Sequence, residues 1–128
     1  MRVLLDTHAL LWWLAAAPDL SDNARRTIAD PENEVLVSIC SIWEVAIKAR
    51  LGRLDMPDDL EGFFADQLPL NGFTVLPIHL HHAARVRHLA DHHRDPFDRL
   101  LVAQAQCEAV SLVSRDQWLS AYDVETIW

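Results

Sequence analysis

The sequence predicts an α/β domain with a mostly parallel central sheet flanked by helices. Two observations carry this. Short apolar runs such as Val3-Leu4-Leu5 and Val35-Leu36-Val37 have the continuous hydrophobic character of strands buried on both faces. Segments with helical periodicity or cap signals separate those runs, giving the alternation β-α-α-β-α-α-β-α-α-β of a parallel sheet covered by helices. A chain of 128 residues is long enough for one domain with a real core, so residues 1–128 are expected to form a single unit.

The elements follow in order. Arg2 to Leu5 reads as a strand and Ala9 to Ala17 as a helix ended by Pro18. Ser21-Asp22-Asn23 caps a second helix running to about Ala29, and Asp30-Pro31-Glu32-Asn33 makes a turn before the strand Val35 to Val37. Ile39, Ile42, Trp43, Ala46 and Ile47 recur at helical spacing, and Gly52 is a C-cap for their helix. Pro57-Asp58-Asp59 opens a fourth helix reaching about Gln67. Phe73 to Ile78 reads as a strand interrupted by Pro77, and Leu80 to Ala90 as a polar helix. Asp95-Pro96 starts a helix over Phe97 to Ala109. Val110 to Val113 and Val124 to Trp128 are the remaining strands.

Composition narrows the function classes. The 51% apolar and 23% charged content is that of a globular protein, and six prolines with three glycines leave no flexible linker. A net charge of −8 argues against a broad basic face for nucleic acid, yet suits a cation-loaded acidic site or a basic partner. Cys40 and Cys107 fit no finger or redox spacing and are expected as buried thiols in a reducing cytoplasm. No signal peptide is evident, and the apolar stretch Ala9 to Ala17 is too short to span a bilayer, so no membrane association is expected.

Acids stand at the hinge points of this pattern, and each has a local explanation. Asp6 closes the first strand and suits the N-cap of the next helix. Glu44 completes a capping-box spacing with Ser41 and lies four residues before Lys48, where an ion pair would form. In Asp95-Pro96-Phe97-Asp98, Asp95 suits the N-cap and Pro96 the first helical position. Asp98, in the first turn, stays free to project outward. Asp116 follows the strand ending at Val113 and suits a cap for Gln117 to Ala121. Their combination carries more than any one of them. A parallel sheet would gather Asp6, Glu44, Asp98 and Asp116 at one edge, where clustered carboxylates repel unless a cation joins them. Oxygen ligands of this kind point to Mg²⁺ or Mn²⁺.

The segments Leu4-Leu5-Asp6-Thr7-His8-Ala9-Leu10-Leu11-Trp12, Ser41-Ile42-Trp43-Glu44-Val45-Ala46-Ile47-Lys48, His93-Arg94-Asp95-Pro96-Phe97-Asp98-Arg99-Leu100-Leu101 and Leu112-Val113-Ser114-Arg115-Asp116 resemble the PIN-domain family. More narrowly they are similar to the VapC-type toxins of bacterial toxin–antitoxin pairs. The resemblance implies a three-layer PIN-like fold and a Mg²⁺- or Mn²⁺-dependent endoribonuclease. Its metal-binding and catalytic acids would be Asp6, Glu44, Asp98 and Asp116, with Ser114, Asp95 and Thr7 in support. It also implies an RNA substrate, with tRNA and rRNA as candidates, a cognate antitoxin and a homodimer. A metal-held water would attack the phosphodiester, leaving a 5′-phosphate and a 3′-hydroxyl.

Lys48 and Arg99 flank the acids most closely and are the favoured phosphate contacts, with Arg50, Arg53, Arg94 and Arg115 as weaker candidates. Histidines crowd the stretch from His79 to His93 without a zinc spacing, so a solvated face is the favoured reading there, with His92 or His93 in reach of RNA. Trp12 and Trp13 make the first helix apolar on more than one face, as partial burial at an interface would require. The rival reading is a non-cleaving RNA- or partner-binding module of the same fold. A receiver domain would want adjacent acids after the first strand, and a haloacid-type phosphatase Asp-x-Asp. Thr7 and His8 match neither.

Overall fold

Val3, Leu4 and Leu5 have no exposed surface, because the strand they form lies in the middle of the sheet with helices on both faces. The computed structural model describes residues 1–128. Its strands are β1 (Arg2–Leu5), β2 (Glu34–Ser38), β3 (Thr74–Leu76), β4 (Ser111–Val113) and β5 (Thr126–Ile127). Its α-helices are α1 (Thr7–Leu14), α2 (Asp22–Ala29), α3 (Ile39–Arg50), α4 (Leu60–Leu70), α5 (Leu80–Arg85) and α6 (Pro96–Glu108). The sheet order is β3-β2-β1-β4-β5 and every pairing is parallel, so the sheet is wholly parallel.

Alternation along the strands divides the core. Val3, Leu5, Val35, Val37 and Val113 face one layer, where they meet Ala9 and Leu10 of α1, Ala24 and Ile28 of α2, and Phe64 and Leu68 of α4. Leu4, Leu36, Leu76 and Leu112 face the other, against Leu101, Val102 and Ala105 of α6. Helix α3 contributes Val45 to the first cluster and Cys40 to the second. The strand order reverses between β1 and β4. Ligands of open parallel sheets bind at such a point, beyond the carboxyl ends of the strands.

Several boundaries differ from the sequence pattern. Helix α1 begins at once after Asp6 and ends at Leu14; Ala16, with φ of 50°, breaks it before Pro18 is reached. The Ser41–Glu44 capping box does not form. Ser38 caps α3 by accepting from Cys40 N at 2.9 Å, which leaves Ser41 and Glu44 buried inside the helix. The polar helix expected over Leu80 to Ala90 stops at Arg85 and tightens into a 3₁₀ turn, Val86–His88. The helix expected over Gln117 to Ala121 is only a 3₁₀ turn, Leu119–Ala121. Cys40 is buried as expected, but Cys107 is exposed.

The tryptophans of α1 are half-buried by the chain itself. Trp13 Nε1 donates to Asn71 Oδ1 at 3.0 Å and its ring packs on Phe73, while Trp12 tilts against Trp128. The exposed apolar stripe lies instead along α3 and its C-cap, where Ile39, Trp43, Ile47 and the cap residue Leu51 recur every fourth residue. No helix is long and apolar enough to cross a membrane.

Candidate functional site

The site is built where β1 and β4 end side by side. Leu5 pairs with Val113, and Asp6 N donates to Val113 O at 3.0 Å, so the residues that follow both strands emerge together. Asp6 caps α1 by accepting from Ala9 N at 2.8 Å and is itself buried. The cap and a ligand role are compatible, because a carboxylate has a second oxygen. Burial pushes the Asp6 carboxyl above its ordinary range, while the Ser114 hydroxyl and the Ala9 N–H pull it back.

Asp98 arrives from the opposite layer. Asp95 is the N-cap of α6, accepting from Phe97 N at 2.8 Å and Asp98 N at 3.3 Å, and Pro96 occupies the first turn. Asp98 is thereby left to face the sheet edge. Burial raises its carboxyl to about 7, with Asp95, Glu44 and Asp6 adding repulsion that His93 partly offsets. Asp116 is held by a tight loop in which its own N–H donates to Ser114 Oγ at 3.0 Å and its Oδ1 accepts from Trp118 N at 2.9 Å.

Asp6, Asp98 and Asp116 line one cleft of about 250 Å³ together with His8, Trp12 and Arg115. Glu44 sits beside this cleft rather than in its lining. It is buried, its Oε1 accepts from the Thr7 hydroxyl at 2.6 Å, and its Oε2 pairs with Lys48 Nζ at 2.5 Å. Ser41 Oγ stands 3.1 Å from the same Thr7 hydroxyl. Thr7 therefore orients Glu44, and Lys48 neutralises it.

His93 was legible only as a weak candidate, and the structure places it among the acids. Its Nε2 lies 3.2 Å from Asp98 Oδ2 and 3.1 Å from Asp116 Oδ2. Asp95 N donates to its Nδ1 at 3.0 Å, so the neutral ring carries its proton on Nε2 and offers it to the two carboxylates. The carboxylate oxygens suit a hard divalent cation: those of Asp98 and Asp116 lie within 4.8 Å of one another, with Asp6 in the same cleft, while the His93 Nε2–H contributes a hydrogen bond and no metal-ligand lone pair. Asp98 and Asp116 would hold such an ion most directly, with Asp6 next.

The favoured phosphate contacts fare differently. Arg99 is spent on the fold: its guanidinium donates to Ala90 O at 3.0 Å, to His93 O at 3.2 Å and to Tyr122 Oη at 3.1 Å. Those bonds, with Nη2 3.5 Å from Val86 O, tie down the loop before α6 and engage the guanidinium that the sequence offered as a phosphate contact. Lys48 is committed to Glu44. A second group of possible metal donors, His81, His82 and Glu108, lies at the far end of α6. His82 is fully buried, its Nδ1 accepts from His79 N at 3.0 Å, and so its Nε2 proton goes to Glu108 Oε2 at 3.1 Å. That tautomer makes His82 a structural tie and removes its Nε2 as a metal donor.

The family model of the PIN domain matches residues 3–125, nearly the whole of this architecture and every acid of the cleft. The chain belongs to the PIN-domain family. This PIN domain is 34% identical over 70 residues to ribonuclease VapC16 of Mycobacterium tuberculosis, a match covering 54% of this chain and 50% of that relative. The chain thus matches about half the length of that curated relative. Among solved structures it resembles a chain of the VapBC2 complex from Rickettsia felis bound to a promoter DNA fragment, with a TM-score of 0.70 at 14% identity, covering 98% of this chain and 97% of the other. It also resembles a chain of FitAcB from Neisseria gonorrhoeae, with a TM-score of 0.62 at 22% identity over 97% and 95% of the two chains. At these identities the likeness is one of fold, and it matches the wholly parallel, helix-covered sheet described above.

Proposed function

We propose that this PIN domain is a Mg²⁺- or Mn²⁺-dependent endoribonuclease of VapC type, acting as the toxin of a type II toxin–antitoxin pair. The observation that carries the reading is the convergence of Asp6, Asp98 and Asp116 on one cleft at the β1–β4 edge, with the Asp98 carboxyl raised to about 7 by burial and by the neighbouring carboxylates of Asp95, Glu44 and Asp6. Asp98, Asp116 and Asp6 would hold a divalent cation there, which would supply a nucleophilic water at neutral pH and counter-charge for the phosphate oxygens. The chain's own residues do the positioning. Ala9 N–H and Ser114 fix Asp6, Asp95 presents Asp98, and the Ser114–Trp118 loop fixes Asp116. Thr7 and Lys48 hold Glu44 beside them as a buried carboxylate at the rim of the metal site.

The partner side of the reading has separate support. The exposed stripe Ile39, Trp43, Ile47 and Leu51 along α3 and its C-cap is the kind of surface that a second copy or an antitoxin covers. The Rickettsia felis relative was solved as a VapBC2 complex. Two unpaired cysteines suit a cytoplasmic setting.

Incubating the purified chain with total RNA, with and without Mg²⁺ or Mn²⁺, tests the activity. Metal-dependent fragments ending in 5′-phosphate are expected, and Asp6→Asn and Asp98→Asn should each abolish them while the circular dichroism spectrum is unchanged. Full cleavage by both variants would overturn the site. RNA binding with no product under any divalent ion would favour the non-cleaving module instead.

A further inference from the structure

An acidic cleft that acts on RNA must hold a polyanion against its own charge, and the bound cation addresses only the phosphate it touches. The neighbouring phosphates need fixed cations. Among the basic side chains close to the acids, Lys48 is paired with Glu44 and Arg99 is bonded into the loop before α6. Arg115 differs from both. It is exposed, it lines the cleft with Asp6, Asp98 and Asp116, and no carboxylate lies within ion-pair distance of it.

What holds Arg115 away from the acids is an aromatic shelf. Its guanidinium carbon lies 4.6 Å from the centroid of the Trp12 ring. Trp12 is itself set in place by His8, one helical turn earlier on α1, whose ring stacks on it at 5.3 Å with an interplanar angle of 23°, and by Trp128, 5.8 Å away. A cation on an aromatic face keeps its planar fork of N–H donors open, because the ring satisfies the charge without consuming donors. The fork therefore stands at the mouth of the cleft, charged and unengaged, beside the residues that would take the scissile phosphate.

We propose that Arg115, shelved on Trp12, binds a backbone phosphate of single-stranded RNA next to the one being cleaved and so positions the strand in the cleft. The proposal rests on the nuclease reading but concerns binding, which can be read separately from turnover. An arginine fork matches the two non-bridging oxygens of a phosphate, and a single such contact is sequence-independent.

The test uses an Asp98→Asn background, which removes cleavage, and a fluorescein-labelled single-stranded RNA oligonucleotide in Mg²⁺. Dissociation constants are measured over a range of KCl concentrations for Arg115, Arg115→Ala and Arg115→Lys. Replacement by Ala should weaken binding by roughly 5- to 10-fold and lower the salt slope by about 0.7, the value of one lost phosphate contact on a single strand. Lys should keep the slope while recovering only part of the affinity, since it carries the charge without the planar fork. In the cleaving protein, Arg115→Ala should raise KM more than it lowers kcat. If Arg115→Ala binds RNA with unchanged affinity and salt slope while the wild-type chain cleaves, the Arg115 assignment is overturned and the nuclease reading survives. A wild-type chain that neither binds nor cleaves RNA overturns both.

Discussion

His93 Nε2–H donates a hydrogen bond to Asp116 Oδ2 at 3.1 Å, with Asp98 Oδ2 at 3.2 Å from the same nitrogen. An imidazole N–H thus stands between carboxylates that belong to different elements, one on α6 and one beyond β4. The ring is aimed by its other nitrogen, which accepts from Asp95 N, and its own backbone N–H donates to Tyr122 Oη at 2.9 Å. In the absence of a cation it is the chief donor that offsets the repulsion between Asp98 and Asp116.

Replacing His93 by Ala should therefore destabilise the protein more without a divalent ion than with one. Losing a donor to these half-buried carboxylates costs at most about 1–3 kcal/mol, which for a domain of this size is on the order of several degrees in Tm. Saturating Mg²⁺ should recover much of that loss, because it neutralises the same oxygens. Thermal melts of wild type and His93→Ala, each in EDTA and in Mg²⁺, measure the difference. An equal drop in both conditions would show that His93 serves only as packing.

Asp98 predicts a pH dependence whose sign is opposite to that of an ordinary salt-bridged aspartate. Its carboxyl is raised from 3.8 to about 7, first by burial and then by Asp95. Between those values the folded state binds a proton that the unfolded chain has released, so stability falls as pH rises through the interval. Below about 4 both states hold the proton and the difference vanishes; above about 7 the full cost is present. Denaturant melts of the metal-free protein should show ΔG declining from pH 4 to 7, and Asp98→Asn should flatten that decline. Mg²⁺ should restore stability mainly at the upper end, where the ionised carboxylate can bind it. A metal-free profile that rises across the interval in wild type and variant alike would refute the assignment.

The sheet and the three cleft aspartates were readable in the sequence for one physical reason. A parallel strand buried on both faces shows itself as a continuous apolar run, and the residue that ends it is marked by polarity, as Asp6 is after Leu5. Asp95-Pro96 was equally plain, since cap and first-turn preferences coincide there. Glu44 shows where local rules give way. Its spacing from Ser41 matches a capping box, yet the helix starts at Ser38, because strand β2 runs into α3 with no loop and the first available hydroxyl takes the cap. The contacts of His93 and Arg99 are not legible in the sequence, because they depend on a loop whose shape no periodicity encodes. In that loop Tyr122, distant in sequence, supplies a hydroxyl that both residues use. The Arg115–Trp12 contact is equally hidden from the sequence, because it joins the loop after β4 to α1, which only the strand order brings together.

Arg99 and Arg115 make a pair of opposite predictions. The Arg99 guanidinium donates to the carbonyls of Ala90 and His93 and to Tyr122 Oη, spanning the segment that leads into α6. Removing it should release that segment and with it the aim of His93, while leaving the cleft mouth intact. Hydrogen exchange of amides between residues 86 and 95 should speed up in Arg99→Ala by about tenfold, the equivalent of roughly 1.4 kcal/mol of local stability, in keeping with one charged hydrogen bond. RNA affinity in the Asp98→Asn background should stay within about twofold of the parent, since side chains that make no phosphate contact leave the electrostatic part of binding unchanged. Arg115→Ala should do the reverse, leaving exchange in that segment alone and weakening RNA binding. Weakened binding in Arg99→Ala with a lower salt slope and unchanged exchange would mean that its guanidinium leaves the loop to meet RNA, and the structural role given to it here would be wrong.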